Sequence, residues 1–569
     1  MRRSLYLLFL LSLLQSCKSN EETSLVSIPW EERGQIADHA MVVSAREEAS
    51  KIGLQIMQQG GNAFDAMVAT EMALAVVYPY AGNLGGGGFM VYRLENGETG
   101  ALDYREKAPL LADRKMYQDS TGEVIPEKSR FGGLAVGVPG TVAGIFAVHE
   151  KFGSLPMARI LNPVIALAEK GYVVTKKQQL RLENYKQDFL EANNDSIFYS
   201  QAFVKGDSIK NFALAQTLKK LVSNGKQEFY EGETGQAIVN YLQEYGGIIS
   251  MQDLAAYEAK WRKPVEFEYK NLRIFAMSPP SSGGIVMGQI LKMAEIFPLP
   301  EYGHNSLKTI QVLTEAERRA FADRSFFLGD PDFVDIPSEE LLSDSYLENR
   351  MQNFSFAKAT PSEEIKHGSV PGYESMETTH YSIVDGAGNA VSVTTTLNGA
   401  YGSKLYMEKL GFFLNNEMDD FSAKPGEPNM FGLIGAEANA IEPEKRMLSS
   451  MTPSIVEKDG ELLMVLGSPG GSTIITTVAQ VILNVEEFGM GMQQAVNAPR
   501  FHHQWLPDVI LFETTGFEES LLDSLRVKGY NVDVEESLII GKVDAILKLP
   551  DGRLEAGADM RGDDASAGF

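Results

Sequence analysis

Cysteine is almost absent from this sequence, since Cys17 is the only one among 569 residues. A single cysteine excludes an intrachain disulfide bond and a zinc site built from cysteines. Basic residues are also in deficit: 51 lysines and arginines stand against 76 aspartates and glutamates, and the formal net charge is −25. Such a surface repels polyanions, so we expect no nucleic-acid partner. A small site remains possible, because one buried arginine can bind a carboxylate.

Long apolar runs are missing except near the N-terminus. Arg2 and Arg3 precede an apolar run over residues 5–14, which is too short to span a bilayer and suits the core of a signal peptide. Gln-Ser-Cys then follows, which resembles a bacterial lipobox. We therefore predict a signal peptide over residues 1–17, lipidation of Cys17 and a polar tether over 18–32. Plain secretion with cleavage nearby is the alternative.

This N-terminal segment predicts a place in the bacterial cell envelope, either the periplasm or the outer membrane. The lipid anchor is the only membrane contact that we expect, because no later stretch of the sequence has the length and apolar character of a transmembrane helix.

A serine-hydrolase elbow is also absent. No G-x-S-x-G precedes a predicted helix, so an ordinary Ser-His-Asp hydrolase has little support. We interpret His380, His502 and His503 as hydrogen-bonded structural residues. His502 and His503 are adjacent in sequence and so lack the i, i+4 spacing of a helical zinc site. We expect no metal site and no organic cofactor.

Helix and strand patterns alternate along the rest of the chain. Residues 46–58 predict a helix, Asn62 is the predicted N-cap of a second helix reaching about Val77, and apolar spacing predicts another over 306–327. Residues 82–93 read as a glycine-rich turn entering a strand, which is the wrong order for a dinucleotide fingerprint. Beyond Thr378 the pattern is rich in strands, with helices expected around 472–486 and 518–528.

A hairpin is predicted at residues 379–396. Two strand-like runs flank Asp-Gly-Ala-Gly-Asn, and pairing Asp385 with Asn389 places Thr378 opposite Thr396. Directly opposed residues have Cβ atoms about 5 Å apart, which allows a hydrogen bond between the two hydroxyls. Taken alone, such a threonine pair is usually structural.

A hydroxyl nucleophile also needs a base. Cleavage of the bond between Glu377 and Thr378 would supply one, because the new α-amine of Thr378, with a pKa of about 7.7–8, can accept the proton of its own hydroxyl. A polar segment with two prolines and two glycines, residues 355–377, leads into this bond.

Ten segments then resemble, in order, the γ-glutamyltransferases (γ-glutamyltranspeptidases) of the N-terminal-nucleophile hydrolase superfamily. The resemblance covers nearly the whole chain after the signal peptide. The segments are GNLGGGGFMVYR at 82, LDYREKAP at 102, PPSSGG at 279, ADRSFFLGDPDF at 322, TTHYS at 378, TTTLN at 394, LNNEMDDFSAKPG at 414, KRMLSSMTPS at 445, GSPGGS at 467 and APRFHHQWLPD at 498.

The resemblance implies an α+β fold, a four-layer αββα sandwich of the N-terminal-nucleophile hydrolase type. It also implies a precursor cleaved between Glu377 and Thr378 into a large subunit, residues 33–377, and a small catalytic subunit, residues 378–569. Both subunits would build the same sandwich and stay together.

The resemblance also assigns roles to residues. Thr378 is the expected nucleophile, Thr396 its orienting partner, and the backbone N–H groups of Gly470 and Gly471 the expected donors to the oxyanion. Substrate binding is implied for seven residues: Arg105, Asn398, Glu417, Asp420, Ser449, Ser450 and Gly471. Arg105, Ser449 and Ser450 would bind the α-carboxylate of a γ-glutamyl group. Asn398, Glu417 and Asp420 would bind its α-amino group.

The function implied is transfer of the γ-glutamyl group from glutathione or related compounds to water, an amino acid or a dipeptide. One alternative is an acylase of the same fold that acts on glutaryl side chains, although glutaryl lacks the amine that Glu417 and Asp420 would bind. Another is an uncleaved lipoprotein that only binds γ-glutamyl peptides.

Overall fold

The computed structural model describes most of the chain after the N-terminal segment. The described residues are 33–125, 127–365, 378–427, 429–430, 432–534 and 539–569. Cys17, the predicted signal peptide and tether, and the Glu377 side of the predicted cleavage bond lie outside these residues. No helix within the described ranges is long and apolar enough to cross a membrane.

Among the described residues, two antiparallel sheets of seven strands each lie at the centre of the fold. The first, which we call the threonine sheet, contains both strands of the predicted hairpin. Its strands in spatial order are Ala565–Gly568, Met41–Ser44, Thr379–Val384, Ala390–Thr396, Gly87–Arg93, Thr99–Asp103 and Lys260–Arg262.

The second sheet, called the facing sheet, packs against the threonine sheet. Its strands in spatial order are Ile36–Ala37, Leu554–Ala558, Asp544–Lys548, Glu461–Gly467, Ser454–Lys458, Leu272–Ala276 and Val265–Tyr269. Strand Thr379–Val384 contacts both Glu461–Gly467 and Asp544–Lys548. The hairpin is therefore enclosed between layers, which explains why all its strand residues are buried.

Helices cover the outer face of each sheet. Ala63–Val77 packs on the hairpin strands of the threonine sheet, while Gly283–Glu295, Thr473–Glu486 and Met492–Asn497 pack on the facing sheet. The resulting layer order is helices, sheet, sheet, helices, which confirms the expected αββα sandwich. Each sheet contains strands from both sides of residue 378, so both predicted subunits contribute to the same sandwich.

The helices predicted from the sequence are confirmed in position. Asn62 accepts the backbone N–H groups of Phe64 and Asp65, and the side chain of Asp65 completes a capping box. The short helix Met492–Asn497 was not predicted. The α-helices are Glu47–Gln58, Ala63–Val77, Thr141–Phe152, Met157–Lys170, Lys176–Asn193, Phe212–Asn224, Gln227–Tyr230, Glu233–Glu244, Met251–Ala255, Gly283–Glu295, Leu299–Tyr302, Leu307–Phe327, Ser338–Leu341, Asp344–Met351, Thr473–Glu486, Met492–Asn497 and Glu519–Val527.

The hairpin has the predicted register. Thr379 pairs with Thr395, and the ladder continues to Val384 opposite Ala390. The carboxylate of Asp385 closes the turn by accepting the N–H groups of the three residues that follow Gly386. This network fixes the turn length and hence the side of the sheet to which each hairpin side chain points.

The glycine-rich stretch allows the next strand to approach the hairpin closely. Strand Gly87–Arg93 pairs with Ala390–Thr396, and a Cβ on Gly86 would lie only 2.1 Å from the backbone oxygen of Thr396. The side-chain amide of Asn83 donates to the same oxygen at 2.8 Å. These contacts hold the end of the strand that carries Thr396.

We expect Gly86→Ala to destabilise the protein by about 1–3 kcal/mol, because the added methyl group overlaps the Thr396 backbone and no flexible side chain can yield. The measurement is the unfolding midpoint in thermal and urea denaturation. Gly386→Ala is the matched control, since its Cβ would have no neighbour closer than 3.9 Å. Equal midpoints for the two variants would contradict the packing role of Gly86.

Candidate active site

Thr378 immediately precedes its strand and lies at the predicted position. Its hydroxyl oxygen is 3.4 Å from the hydroxyl oxygen of Thr396, a distance at which either group can donate. The Thr396 hydroxyl oxygen accepts the backbone N–H of Asn398 at 2.8 Å. Since Asn83 donates to the backbone oxygen of Thr396, hydrogen bonds fix both the side chain and the carbonyl of this residue. The pair predicted from hairpin register is thus formed.

A small cavity of about 20 Å³ opens beside Thr378. It brings together eight of the predicted site residues, although they come from distant parts of the chain. The cavity is lined by Arg105, Arg324, Thr378, Thr396, Asn398, Asp420, Leu433, Ser449, Ser450, Met451, Gly471 and Ile474. Of the predicted residues with described positions, Glu417 and Gly470 do not line the cavity but adjoin residues that do.

Arg105 is the centre of a buried charge cluster. It follows strand Thr99–Asp103, and its guanidinium pairs with Glu417 through Nη1 and with Asp420 through Nη2, both at 2.5 Å. A third carboxylate, that of Glu106, lies 3.8 Å away. Nη2 also donates to the backbone oxygen of Leu448 at 3.3 Å, which ties Arg105 to the loop that carries the two serines.

The proton affinities of this cluster follow from its burial. Burial raises the pKa of Asp420 to about 6 and that of Glu106 to about 8, against the opposing charge of Arg105. The pKa of Glu417 is raised well above its usual range for the same reason. Burial alone would lower the pKa of Arg105, but the neighbouring carboxylates raise it above its ordinary value. The arginine therefore stays charged, and an added cation would favour the ionised carboxylates.

Arg105, Glu417 and Asp420 form one network, although the arginine is predicted to bind a substrate carboxylate and the two acids a substrate amine. Glu417 and Asp420 lie in the 3-10 turn Glu417–Asp420, which brings both acids onto Arg105. A zwitterionic amino-acid headgroup matches such a network, since its carboxylate can compete for the guanidinium while its ammonium binds the released acids.

Asn398 lies just beyond the end of strand Ala390–Thr396. Its backbone has a φ of +71°, a left-handed conformation that asparagine tolerates better than most residues. Its side-chain amide donates to the backbone oxygen of Asn416 at 3.0 Å, which links the threonine pair to the acidic turn.

Gly470 and Gly471 connect strand Glu461–Gly467 to helix Thr473–Glu486. Both have left-handed φ values, +137° and +54°, and a Cβ on Gly470 would lie 2.5 Å from the Thr473 hydroxyl. This turn leads into a helix N-terminus, where backbone N–H groups favour negative charge. Their assignment as oxyanion donors stays a prediction.

Ser449 and Ser450 are held by a segment for which the sequence suggested no role. Ser282, in PPSSGG, donates both its backbone N–H and its hydroxyl to the carbonyl oxygen of Ser449, each at 2.7 Å. The N–H of Ser449 donates in turn to Pro280. The loop therefore presents both serines at a fixed position beside the cavity.

Arg324 is the charged cavity residue that sequence reasoning missed. It lies in the last turn of helix Leu307–Phe327 and is 3% exposed. The segment ADRSFFLGDPDF contains it, but that helix also carries the buried arginines Arg318 and Arg319, which face other partners. Nothing in the sequence spacing distinguishes Arg324 from the other two as the arginine that lines the cavity.

His380, His502 and His503 are hydrogen-bonded and buried, in agreement with their interpretation as structural residues. His380 contacts the hydroxyl of Thr394 at 2.9 Å, and His502 that of Thr476 at 2.8 Å. Burial lowers the pKa of each to about 3, so both are neutral at physiological pH. Within the described ranges, no group of three or more His, Cys, Asp or Glu side chains is arranged to hold a metal ion.

Comparisons with known proteins identify relatives of this chain. The chain is 45% identical over 538 residues to a glutathione hydrolase proenzyme of Escherichia coli (strain K12), covering 94% of this chain and 92% of that protein. It is 42% identical over 532 residues to the glutathione hydrolase proenzyme of Pseudomonas aeruginosa, covering 92% and 94%. An acylase ACY 1 proenzyme of Pseudomonas sp. (strain V22) is 32% identical, with 94% of each chain covered.

Solved structures share the fold. A cephalosporin acylase from Bacillus halodurans superposes with a TM-score of 0.84 at 25% identity, covering 95% of this chain and 98% of that one. The γ-glutamyltranspeptidase of Helicobacter pylori superposes with a TM-score of 0.56 at 41% identity, covering 59% and 96%. The γ-glutamyltranspeptidase family model matches residues 49–569. The chain is a member of the γ-glutamyltranspeptidase family.

Proposed function

We propose that this protein is an autoprocessing γ-glutamyltransferase that also hydrolyses glutathione. The observation that carries the proposal is the Thr378–Thr396 hydroxyl pair, which borders the same small cavity as the Arg105 charge cluster. A nucleophile and a zwitterion-binding network thus lie side by side. The relatives named glutathione hydrolase proenzyme support both the activity and the precursor.

Maturation uses the hydroxyl of Thr378. Its oxygen attacks the carbonyl carbon of Glu377, the C–N bond to Thr378 breaks, and the amide nitrogen takes up a proton to become the free α-amine. Water then hydrolyses the ester and leaves Glu377 as a carboxyl terminus. The products are the large subunit, residues 33–377, which keeps the tether that joins it to Cys17, and the small subunit, residues 378–569. Their shared sheets support continued association after cleavage.

Turnover uses the same oxygen. The α-amine of Thr378 takes the hydroxyl proton as the oxygen attacks the γ-amide carbonyl of glutathione or another γ-glutamyl compound, and the leaving amine receives that proton. Water, an amino acid or a dipeptide then attacks the γ-glutamyl ester. Gly470 and Gly471 donate N–H groups to the oxyanion, a contribution of about 3–4 kcal/mol for each donor where tested. Neither step calls for a metal or cofactor.

Donor recognition follows from the charges at the cavity. Arg105, Ser449 and Ser450 bind the α-carboxylate, while Asn398, Glu417 and Asp420 accept hydrogen bonds from the α-ammonium. Glutaryl donors lack that ammonium, so a glutaryl carboxylate that displaced Glu417 and Asp420 from Arg105 would leave both buried acids without a cation, which disfavours the acylase alternative despite the shared fold.

Thr378→Ala is expected to give one full-length chain with no turnover of γ-glutamyl p-nitroanilide, because the variant lacks the oxygen for both steps. Wild type should give two chains on a denaturing gel, with Thr378 as the N-terminal residue of the smaller chain by mass spectrometry. The matched control is Thr379→Ala. The Thr379 hydroxyl is buried and accepts or donates no hydrogen bond among the described residues, so its loss should leave processing intact.

Turnover by wild type that remains a single uncleaved chain would contradict the proposed mechanism. A single chain that binds γ-glutamyl peptides without turnover would support the binding-protein alternative.

Asp420→Asn is expected to raise the KM for γ-glutamyl p-nitroanilide by about 10- to 100-fold, since it removes a charged partner of the ammonium. In wild type, the carboxylate of Asp420 gains a proton as pH falls through its raised pKa of about 6, so KM should rise below pH 6. In the variant KM should stay high and nearly constant between pH 5 and 8. Asp419→Asn, which leaves both Arg105 ion pairs in place, should keep a KM close to wild type.

A parallel fall of wild-type and Asp420→Asn affinity with pH would show that another group controls ammonium binding.

We also propose that the mature protein is anchored in the cell envelope through a lipidated Cys17, on the basis of the N-terminal sequence. Metabolic labelling with radioactive palmitate should mark wild type but not Cys17→Ser, and the variant should leave the membrane fraction with unchanged activity per molecule. An unlabelled wild-type protein would favour plain secretion.

A further inference from the structure

Arg324 differs from Arg105 in how its charge is compensated, although both guanidinium groups line the same cavity. Arg105 pairs directly with two carboxylates. Arg324 makes no ion pair within 4 Å among the residues that the structure describes; its Nε donates to the hydroxyl of Ser282 at 2.9 Å and its Nη2 to the hydroxyl of Ser450 at 3.1 Å. Both acceptors are neutral.

An uncompensated buried charge is costly. Arg324 is 3% exposed, and removing a guanidinium from water is repaid only when an anion or several good hydrogen bonds replace the solvent. Burial lowers the pKa of Arg324 to about 10, with Asp420 acting in the opposite direction, so the group remains charged at neutral pH. The cavity therefore holds a positive charge that a ligand carboxylate can balance.

The contact with Ser450 also has a direction. The guanidinium can only donate, so the Ser450 oxygen accepts and the serine hydrogen must point elsewhere. Ser450 Oγ donates to no other described residue, and the side chain borders the cavity. Ser282 extends the same chain of hydrogen bonds, since its hydroxyl accepts from Arg324 and donates to the carbonyl oxygen of Ser449.

We propose that Arg324 is a positioning and specificity residue for the α-carboxylate of the γ-glutamyl donor. The charge of Arg105 is already balanced by Glu417 and Asp420, so Arg324 supplies a positive charge for the carboxylate of the donor. It also orients Ser450 so that the hydroxyl hydrogen points toward that carboxylate. This inference rests on the proposed function and adds to it a second cation that selects donors with an α-carboxylate.

The first test compares two competitive inhibitors of γ-glutamyl p-nitroanilide hydrolysis, L-glutamate and 4-aminobutyrate, which lacks only the α-carboxylate. Arg324→Gln should raise the Ki of L-glutamate by about 10- to 100-fold and leave that of 4-aminobutyrate nearly unchanged, because the variant loses charge-assisted contacts to one group of the ligand. Arg324→Lys keeps the charge and should recover part of the glutamate affinity. Equal shifts for both inhibitors, or no shift for glutamate, would overturn the proposal.

The second test measures coupling between Arg324 and Ser450. In a double-mutant cycle of Arg324→Gln and Ser450→Ala, the combined loss in kcat/KM should be smaller than the product of the separate losses, since each variant disables the same hydroxyl contact. Purely multiplicative losses would show that Arg324 does not act through Ser450.

Processing separates these outcomes from failure of the proposed function. Each variant is first assayed for its two chains on a denaturing gel, and cleaved protein is purified for the kinetics. Wild type that neither cleaves itself nor hydrolyses the anilide would refute the proposed function. Active wild type with an unselective Arg324→Gln variant would refute only the role of Arg324.

Discussion

The register of one β-hairpin determines the geometry on which this site depends. Asp385 closes the turn, and the ladder from Val384–Ala390 to Thr379–Thr395 carries the alignment to the end at which Thr378 and Thr396 meet. A slip of one residue would send the two hydroxyls to opposite faces of the sheet. The glycine-rich strand packs closely against the backbone of Thr396. A slip would therefore be costly, because the two backbones leave no room for the hairpin strand to shift.

The charges beside the hairpin explain how a zwitterion can be selected in a small cavity. Arg105 is compensated by Glu417 and Asp420, whereas Arg324 donates hydrogen bonds to two neutral hydroxyl groups. One cation is thus already paired with the acids that an ammonium would need, and the other is available to a carboxylate. Because all these groups are buried, their mutual interactions are stronger than they would be at the surface, and a ligand that lacks the carboxylate leaves Arg324 without a counter-charge.

The fold itself does not decide between a γ-glutamyltransferase and an acylase. A cephalosporin acylase superposes closely on this chain, so the αββα scaffold and its strand order serve both kinds of enzyme. The lining of the cavity is what favours a γ-glutamyl donor in this chain. The turn Glu417–Asp420 places two acids on Arg105, which suits a donor that carries an amine beside its carboxylate.

The sequence by itself determined the features that depend on neighbours along the chain. The helix limits at Asn62 and near residue 306, the hairpin turn and the opposition of Thr378 and Thr396 follow from capping residues, apolar spacing and turn length. Family resemblance added the other polar residues of the cavity except Arg324. Tertiary structure alone decided how those residues pair. Arg105 meets Asp420 across 315 positions, and Ser450 meets Arg324 across 126. No local periodicity encodes such contacts, because they arise only when the two sheets and their helices pack.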